Sequence, residues 1–109
     1  MPGKKKPLRT ILIVASSYSV LTGAAADKLS QTHTVRMAET QDTALGYLRC
    51  MKFDLVVIED SVSQDAVSAI TKAVPDGTAM YFPRKSMKTQ AIVSEVSRRL
   101  EQKWTEGER

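Results

Sequence analysis

The run LVVI, residues 55–58, is the feature that most constrains this chain, and it leads directly into the carboxylates Glu59 and Asp60. Four consecutive apolar residues, three of them β-branched, are typical of a strand buried on both faces, as in a parallel sheet. The carboxyl ends of such strands are where open α/β sheets place ligands and active sites. The sequence therefore raises the question of whether Glu59 and Asp60 carry chemistry.

Strand-like and helix-like segments alternate along the rest of the chain. Besides the run just described, strand patterns occur at TILIV (residues 10–14), HTVRMA (33–38) and TAMYFP (78–83). After each strand, apolar residues recur at helical spacing, which predicts four amphipathic helices. The order β-α-β-α-β-α-β-α predicts a three-layer α/β sandwich, in which helices cover both faces of a parallel sheet.

Length and charge indicate one domain with a basic start. The chain has 109 residues, near the usual size for a single core. The three lysines at 4–6 and Arg9 account for the whole net charge of +4, so the remaining body is neutral. We predict a basic flexible tail over residues 1–8, an α/β domain over residues 9–104 and a flexible C-terminus over residues 105–109. A neutral body disfavours nucleic-acid binding, which usually needs a basic folded face.

The single cysteine and the single histidine, Cys50 and His33, limit the chemistry that the chain can carry. One cysteine forms no internal disulfide, and a zinc site would need several carboxylates close to both residues. Serines are frequent, but His33 begins the second predicted strand, at the opposite end of the sheet from the serine-rich loops. It therefore lies out of reach as a catalytic base. We expect no catalytic residue, no metal and no cofactor.

The N-terminal segment also has the outline of a secretory signal peptide, with a basic start, an apolar middle and alanines at 24–26. Serines at 16, 17 and 19 interrupt the apolar stretch, and cleavage would remove the first predicted strand. These observations favour a retained segment and a cytoplasmic protein. No run approaches the ~20 apolar residues that span a bilayer, so no membrane association is expected.

The stretch ETQDTALGYLRCMKFDLVVIED, residues 39–60, resembles the receiver domain of response regulators. It has a helix of the form AL..L, a short linker, and FDLVV followed by an acid. ILIVASS (residues 11–17) falls where that family has its first strand and an acidic pair, and GTAMYFPRKS (residues 77–86) resembles its late, lysine-ending strand. The resemblance implies a flavodoxin-like, receiver-like fold. The chain is about one β-α unit shorter than the family, which leaves four strands, or five if that unit is present.

The same resemblance implies that the family's phosphorylation cycle is lost. Receivers hold a magnesium ion with acids after the first strand, and they accept a phosphoryl group on an aspartate that ends the third. The acidic pair falls on Ala15 and Ser16, and neither offers the carboxylate oxygen that a hard dication prefers. The phosphoacceptor position falls on Glu59, with Asp60 as the second choice.

The family's lysine after its last strand falls near Arg84 or Lys85, which are the expected charge partners of Glu59. Such an ion pair would imitate a permanently charged site, whereas a solvated Glu59 would contribute little. The resemblance implies a non-catalytic signalling or regulatory module, of the kind used in two-component systems, that acts through protein–protein interaction. An open sheet edge would also favour a homodimer.

Two other functions stay open at this point. A flavodoxin-like flavin-binding protein could place a phosphate in the hydroxyl-rich loop ASSYSVLTG, residues 15–23, although the glycine comes late and no aromatic pair is placed to sandwich a flavin. A weak nucleic-acid-binding adaptor could use the basic segments at 4–6 and PRKSMK, residues 83–88, although a solvated helix start is the better explanation of the latter in a neutral body.

Overall fold

A computed structural model describes residues 9–16, 21–84 and 87–107 of the chain. The strands are β1 (Thr10–Val14), β2 (Thr34–Ala38), β3 (Leu55–Ile58) and β4 (Ala79–Tyr81). A π-helical turn at Leu21–Ala25 continues into α1 (Ala26–Ser30), and the later helices are α2 (Gln41–Cys50), α3 (Gln64–Ala73) and α4 (Thr89–Gly107). The alternating order of strands and helices predicted from the sequence is confirmed.

The described strands form one parallel sheet in the order β2-β1-β3-β4. β1 and β3 are the two inner strands, and residues 11–14 and 55–58 have at most 1% of their surface exposed. Burial on both faces explains why these segments are continuous apolar runs and do not alternate with polar residues. The run LVVI is therefore a central buried strand, as its composition predicts.

Two layers of helices cover the sheet, one on each face. The face that includes Ile11 and Ile13 packs against α1 and α4, where Ile92 and Val96 are buried. The opposite face, which includes Leu12, Val14, Val56 and Ile58, packs against α2 and α3, where Ala44 and Ile70 are buried. Successive strand residues point to opposite faces, so β1 and β3 contribute to both cores. The three-layer, flavodoxin-like fold is thus confirmed.

Side-chain caps and one glycine fix where the middle helices begin and end. The Thr40 Oγ1 accepts the Thr43 N–H at 3.1 Å at the start of α2, and the Ser63 Oγ accepts the Ala66 N–H at 3.2 Å at the start of α3. After α3, Gly77 has a φ of +93°, a left-handed conformation that favours glycine in a turn. That turn delivers the chain to β4.

Two predicted elements differ from the structure. Leu21, Ala25 and Leu29 are spaced by fours, which predicts an amphipathic helix over residues 20–29, but the described segment opens with a π-helical turn that widens it before α1. β4 ends at Tyr81, two residues before Pro83, whose ring nitrogen cannot donate to a ladder. α4 continues to Gly107, and the predicted division at residues 104 and 105 stays a prediction. The predicted tail over residues 1–8 lies outside the described residues.

The amino-terminal ends of β1, β2 and β3 meet in a small charged cluster. Asp54 accepts the Thr10 N–H at 2.9 Å and lies 3.6 Å from the Arg9 Nη1. His33 follows α1, where its N–H donates to the Leu29 carbonyl at 2.9 Å. In the described part of the structure, the His33 Nδ1 is buried without a hydrogen-bond partner. Burial lowers the pKa of His33 below its usual 6.5, the Arg9 cation lowers it further, and Asp54 opposes both effects.

We expect this histidine to make the fold less stable in mild acid. Because its pKa is lower in the folded chain, the unfolded chain binds more protons just below pH 6.5. The free energy of unfolding should be highest above about pH 6.5 and should fall as the pH drops towards the folded pKa. Urea unfolding between about pH 8 and pH 5 measures this slope, and His33→Gln should flatten it. If the free energy of unfolding of the variant has the same slope with pH, groups other than His33 cause the pH dependence.

Candidate functional site

The candidate site lies at the carboxyl ends of β1 and β3, where the two inner strands finish side by side. Val14 and Ile58 are partners in the last rung of the β1–β3 ladder. One residue further on, the Glu59 N–H donates to the Val14 carbonyl at 3.0 Å, and the Ala15 N–H donates to the Ala38 carbonyl at 3.0 Å. The sheet therefore places Ala15 and Glu59 next to each other at this edge.

Glu59 is buried, with 6% of its surface exposed, and it is the single charged residue in the buried class among the residues described. The Ser61 Oγ donates a hydrogen bond of 2.7 Å to the Glu59 Oε1. The Val62 N–H donates to the Glu59 carbonyl at 3.1 Å, so the turn from β3 to α3 closes over this residue. A buried carboxylate needs such partners, because desolvation without compensation is costly. Glu59 is therefore held inside the turn.

The neighbouring predicted site residues have different surroundings. Asp60 is exposed, in keeping with the alternation of side chains beyond the strand. Ala15 is 1% exposed, whereas Ser16 is exposed and reaches the adjacent cavity. Arg84 is exposed after β4, and Lys85 lies outside the described residues, so the predicted charge partner of Glu59 stays a prediction. Of the predicted set, the structure brings together Ala15, Ser16 and Glu59.

A cavity of about 390 Å³ opens between the ends of β1, β2 and β3. Most of its polar lining consists of side chains with hydroxyl or amide groups, together with one carboxylate; these residues are Ser16, Thr40, Gln41, Ser61, Ser63 and Glu39. Thr40 and Ser63 are the residues that cap α2 and α3. Hydroxyl groups are weak ligands for magnesium, which prefers carboxylate oxygens and phosphates. The cavity thus has the polarity of a binding pocket without the acid set of a magnesium site.

No group of three or more His, Cys, Asp and Glu side chains is placed to hold a metal ion within residues 9–16, 21–84 and 87–107. In the same ranges, no helix has the length and apolar character that crossing a bilayer requires.

The Ser61 hydrogen bond is missing from the sequence predictions, whereas Glu39 to Gln41 are among the strand-end residues that the sequence pattern places at the site. A serine two residues after a carboxylate, at a strand end, is a pattern that favours a local side-chain hydrogen bond. Glu39 follows β2 directly, and the carboxyl ends of adjacent parallel strands lie at one edge of the sheet. The serine pattern signals the hydrogen bond without fixing its distance, and the strand-end rule correctly places Glu39 at the cavity.

Comparison with solved structures identifies the fold. A CheY-like response regulator receiver domain from Methanospirillum hungatei superposes with a TM-score of 0.61 and 15% sequence identity, covering 92% of this chain and 99% of that one. A response regulator from Thermotoga maritima gives a TM-score of 0.52 and 16% identity, covering 86% and 99%. The chain has the fold of response-regulator receiver domains. A scan against family models finds no match, and a search of curated proteins finds no relative.

Proposed function

We propose that this protein is a receiver-like signalling or regulatory module that has lost the phosphorylation cycle and acts by binding a protein partner. One observation carries the proposal: Glu59 is buried at the carboxyl end of the central strand β3, beside Ala15, and its carboxylate is held by Ser61. The acceptor position thus carries a fixed carboxylate, next to a position that offers no metal ligand.

The two residues after β1, Ala15 and Ser16, argue against phosphoryl transfer because neither has a carboxylate to bind a metal ion. Neutralisation of the developing charge by a metal ion is the main contribution that such transfer needs from a site. The Ala15 side chain has no polar atom, and Ser16 supplies a hydroxyl where a carboxylate would be required. Without the ion, no dication would offset the repulsion between the phosphodonor and the Glu59 carboxylate.

The environment of Glu59 adds a second argument. Its carboxylate is one methylene further from the backbone than that of an aspartate, and it already accepts the Ser61 hydroxyl. With 6% of its surface exposed, Glu59 leaves a phosphodonor little room for the in-line approach that attack on phosphorus requires. We therefore infer that the site stays unphosphorylated and that a partner recognises this single state.

The partner in this proposal is another protein, with a second copy of the chain as the alternative that oligomeric-state measurements distinguish. A cytoplasmic location accords with the lone cysteine, because Cys50 is an exposed free thiol and such thiols persist in reducing compartments.

The direct test is incubation of the protein with a small phosphodonor and Mg²⁺, followed by intact mass measurement. We expect no increase by the mass of a phosphoryl group at any time point. A receiver domain with its acids intact, treated in parallel, should gain that mass and lose it again as the acyl phosphate hydrolyses. A labile phosphoryl adduct on this chain would contradict the proposal, and digestion would show whether Glu59 or Asp60 carries it.

A further inference from the structure

The outer side of β4 is an open edge of the sheet. No strand pairs with it among residues 9–16, 21–84 and 87–107. The Ala79 N–H donates to the Asp54 carbonyl on the β3 side, at 3.1 Å. Because the peptide groups of alternate strand residues point in opposite directions, the N–H and C=O of Met80 face away from β3. The edge therefore presents backbone groups of the kind that pair with an added strand.

The charge at this edge is positive. The Arg99 guanidinium lies 4.7 Å from the centre of the Tyr81 ring, and its Nη1 reaches the Met80 carbonyl at 3.5 Å, the long limit of a hydrogen bond. The Arg99 Nε lies 2.9 Å from the Glu95 Oε2, and Arg98 pairs with the same carboxylate. Two arginines thus share one acid, which leaves a net positive charge beside β4.

The segment after β4 adds an apolar group and two more cations. Phe82 is 50% exposed, which is unusual for a large hydrophobic side chain in this structure. Arg84 and Lys88 are exposed, and neither has an ion-pair partner in the part of the chain that the structure describes. The Tyr81 hydroxyl donates to the Met87 Sδ at 3.5 Å, which keeps the start of α4 beside β4.

We propose that the β4 edge binds an extended, acidic segment of a partner protein, which adds to the sheet as a fifth strand. The Met80 N–H would donate to the segment, and Phe82 would contact an apolar side chain. Arg84, Lys88 and the Arg98–Arg99 pair would attract its carboxylates. This inference rests on the proposed function only in requiring a protein partner, and it is independent of Glu59.

The positive charge of the β4 edge favours an acidic protein segment over a second copy of the chain and over a nucleic acid. A second copy of the chain would bring the same cations to β4 across a two-fold axis, so the two edges would repel each other. A nucleic acid would be held by its phosphates, and binding by phosphate contacts alone needs more unpaired cations than this edge presents. An acidic strand uses both the backbone groups and the charge.

The test uses a fluorescein-labelled peptide of alternating valine and glutamate, with a valine–lysine peptide and an oligothymidylate for comparison. We expect the glutamate peptide to bind in an anisotropy titration, the lysine peptide not to bind, and the Met80 amide to exchange more slowly with solvent when the glutamate peptide is bound. Arg84→Glu/Lys88→Glu should weaken binding about tenfold, since it reverses two exposed charges. The matched control, Lys28→Glu/Lys52→Glu, reverses exposed charges elsewhere and should change affinity by less than about twofold.

Several results would overturn the inference. One is that the glutamate peptide does not bind, and another is that the Met80 amide exchanges at the same rate with and without bound peptide. A third is that the two double variants lower peptide affinity by the same factor. Tighter binding of the oligothymidylate with the same sensitivity to charge reversal would assign the surface to nucleic acid, and a peptide-free dimer with a protected Met80 amide would assign it to a second copy. Phosphoryl transfer is measured without peptide, so failure of one proposal is distinguishable from failure of the other.

Discussion

The double variant Ser16→Asp/Glu59→Asp is expected to gain the mass of one phosphoryl group when it is incubated with a small phosphodonor and Mg²⁺, whereas the unaltered chain gains none. Ser16 is exposed and lines the cavity beside β3, so an aspartate there can reach a hydrated ion without being buried. Glu59→Asp shortens the side chain at the end of β3, so we expect the carboxylate to lose its hydrogen bond from Ser61. Together the two changes supply a metal ligand and an aspartate acceptor.

The single variants are the controls for this gain of chemistry. Glu59→Asp alone lacks the added metal ligand, and Ser16→Asp alone lacks the aspartate acceptor, so each should stay unmodified or react far more slowly than the double variant. Urea unfolding should show that all three remain folded. A double variant that is folded, binds Mg²⁺ and stays unmodified would contradict the proposal that these two positions explain a loss of phosphorylation.

Truncation of Ile13 to alanine is expected to lower the free energy of unfolding by about 2–5 kcal/mol, the usual range for removing a large aliphatic side chain from a core. Ile13 is fully buried in β1, where it contributes to the core shared with α1 and α4. A loss of this size is a large part of the total stability of a domain, which is about 5–15 kcal/mol. Urea unfolding measures it as a shift of the midpoint at constant slope.

Met37→Ala is the matched control, because Met37 is the β2 partner of Ile13 in the same rung of the sheet and is 46% exposed. Truncation there removes little buried surface and should change the free energy of unfolding by less than about 1 kcal/mol. Equal losses from the two variants would mean that β1 is not the inner strand that the register describes.

The inner strands and the helix starts were predictable because their signals are local. A continuous β-branched run has few alternatives to a doubly buried strand, and the runs at 10–14 and 55–58 occupy the centre of the sheet. Ser63 precedes the apolar stripe of α3 by the distance that a cap requires, and it caps that helix. In both cases a short stretch of sequence determines its own structure.

The site was less predictable because it depends on three loops that are distant in the sequence. The alternation of side chains correctly separates Glu59 from Asp60, but it cannot say that Glu59 is buried under its own turn or that Ser61 donates to it. The cavity joins residues after β1, β2 and β3, and its size depends on how closely α2 and α3 approach the sheet. The π-helical turn before α1 is likewise a matter of tertiary packing, since its residues fit a regular helical pattern.

The position of α4 has a consequence for how the chain is made. Ile92, Val96 and Leu100 cover the face of β1 and β3 that carries Ile11, Ile13, Leu55 and Val57, so a helix made after all four described strands covers the earliest of them. Until α4 has emerged from the ribosome, that apolar face lacks these three side chains, and exposed apolar strands of this kind are prone to aggregate. Completion of this core therefore waits for the synthesis of α4, and a truncation that removes α4 should yield an insoluble product.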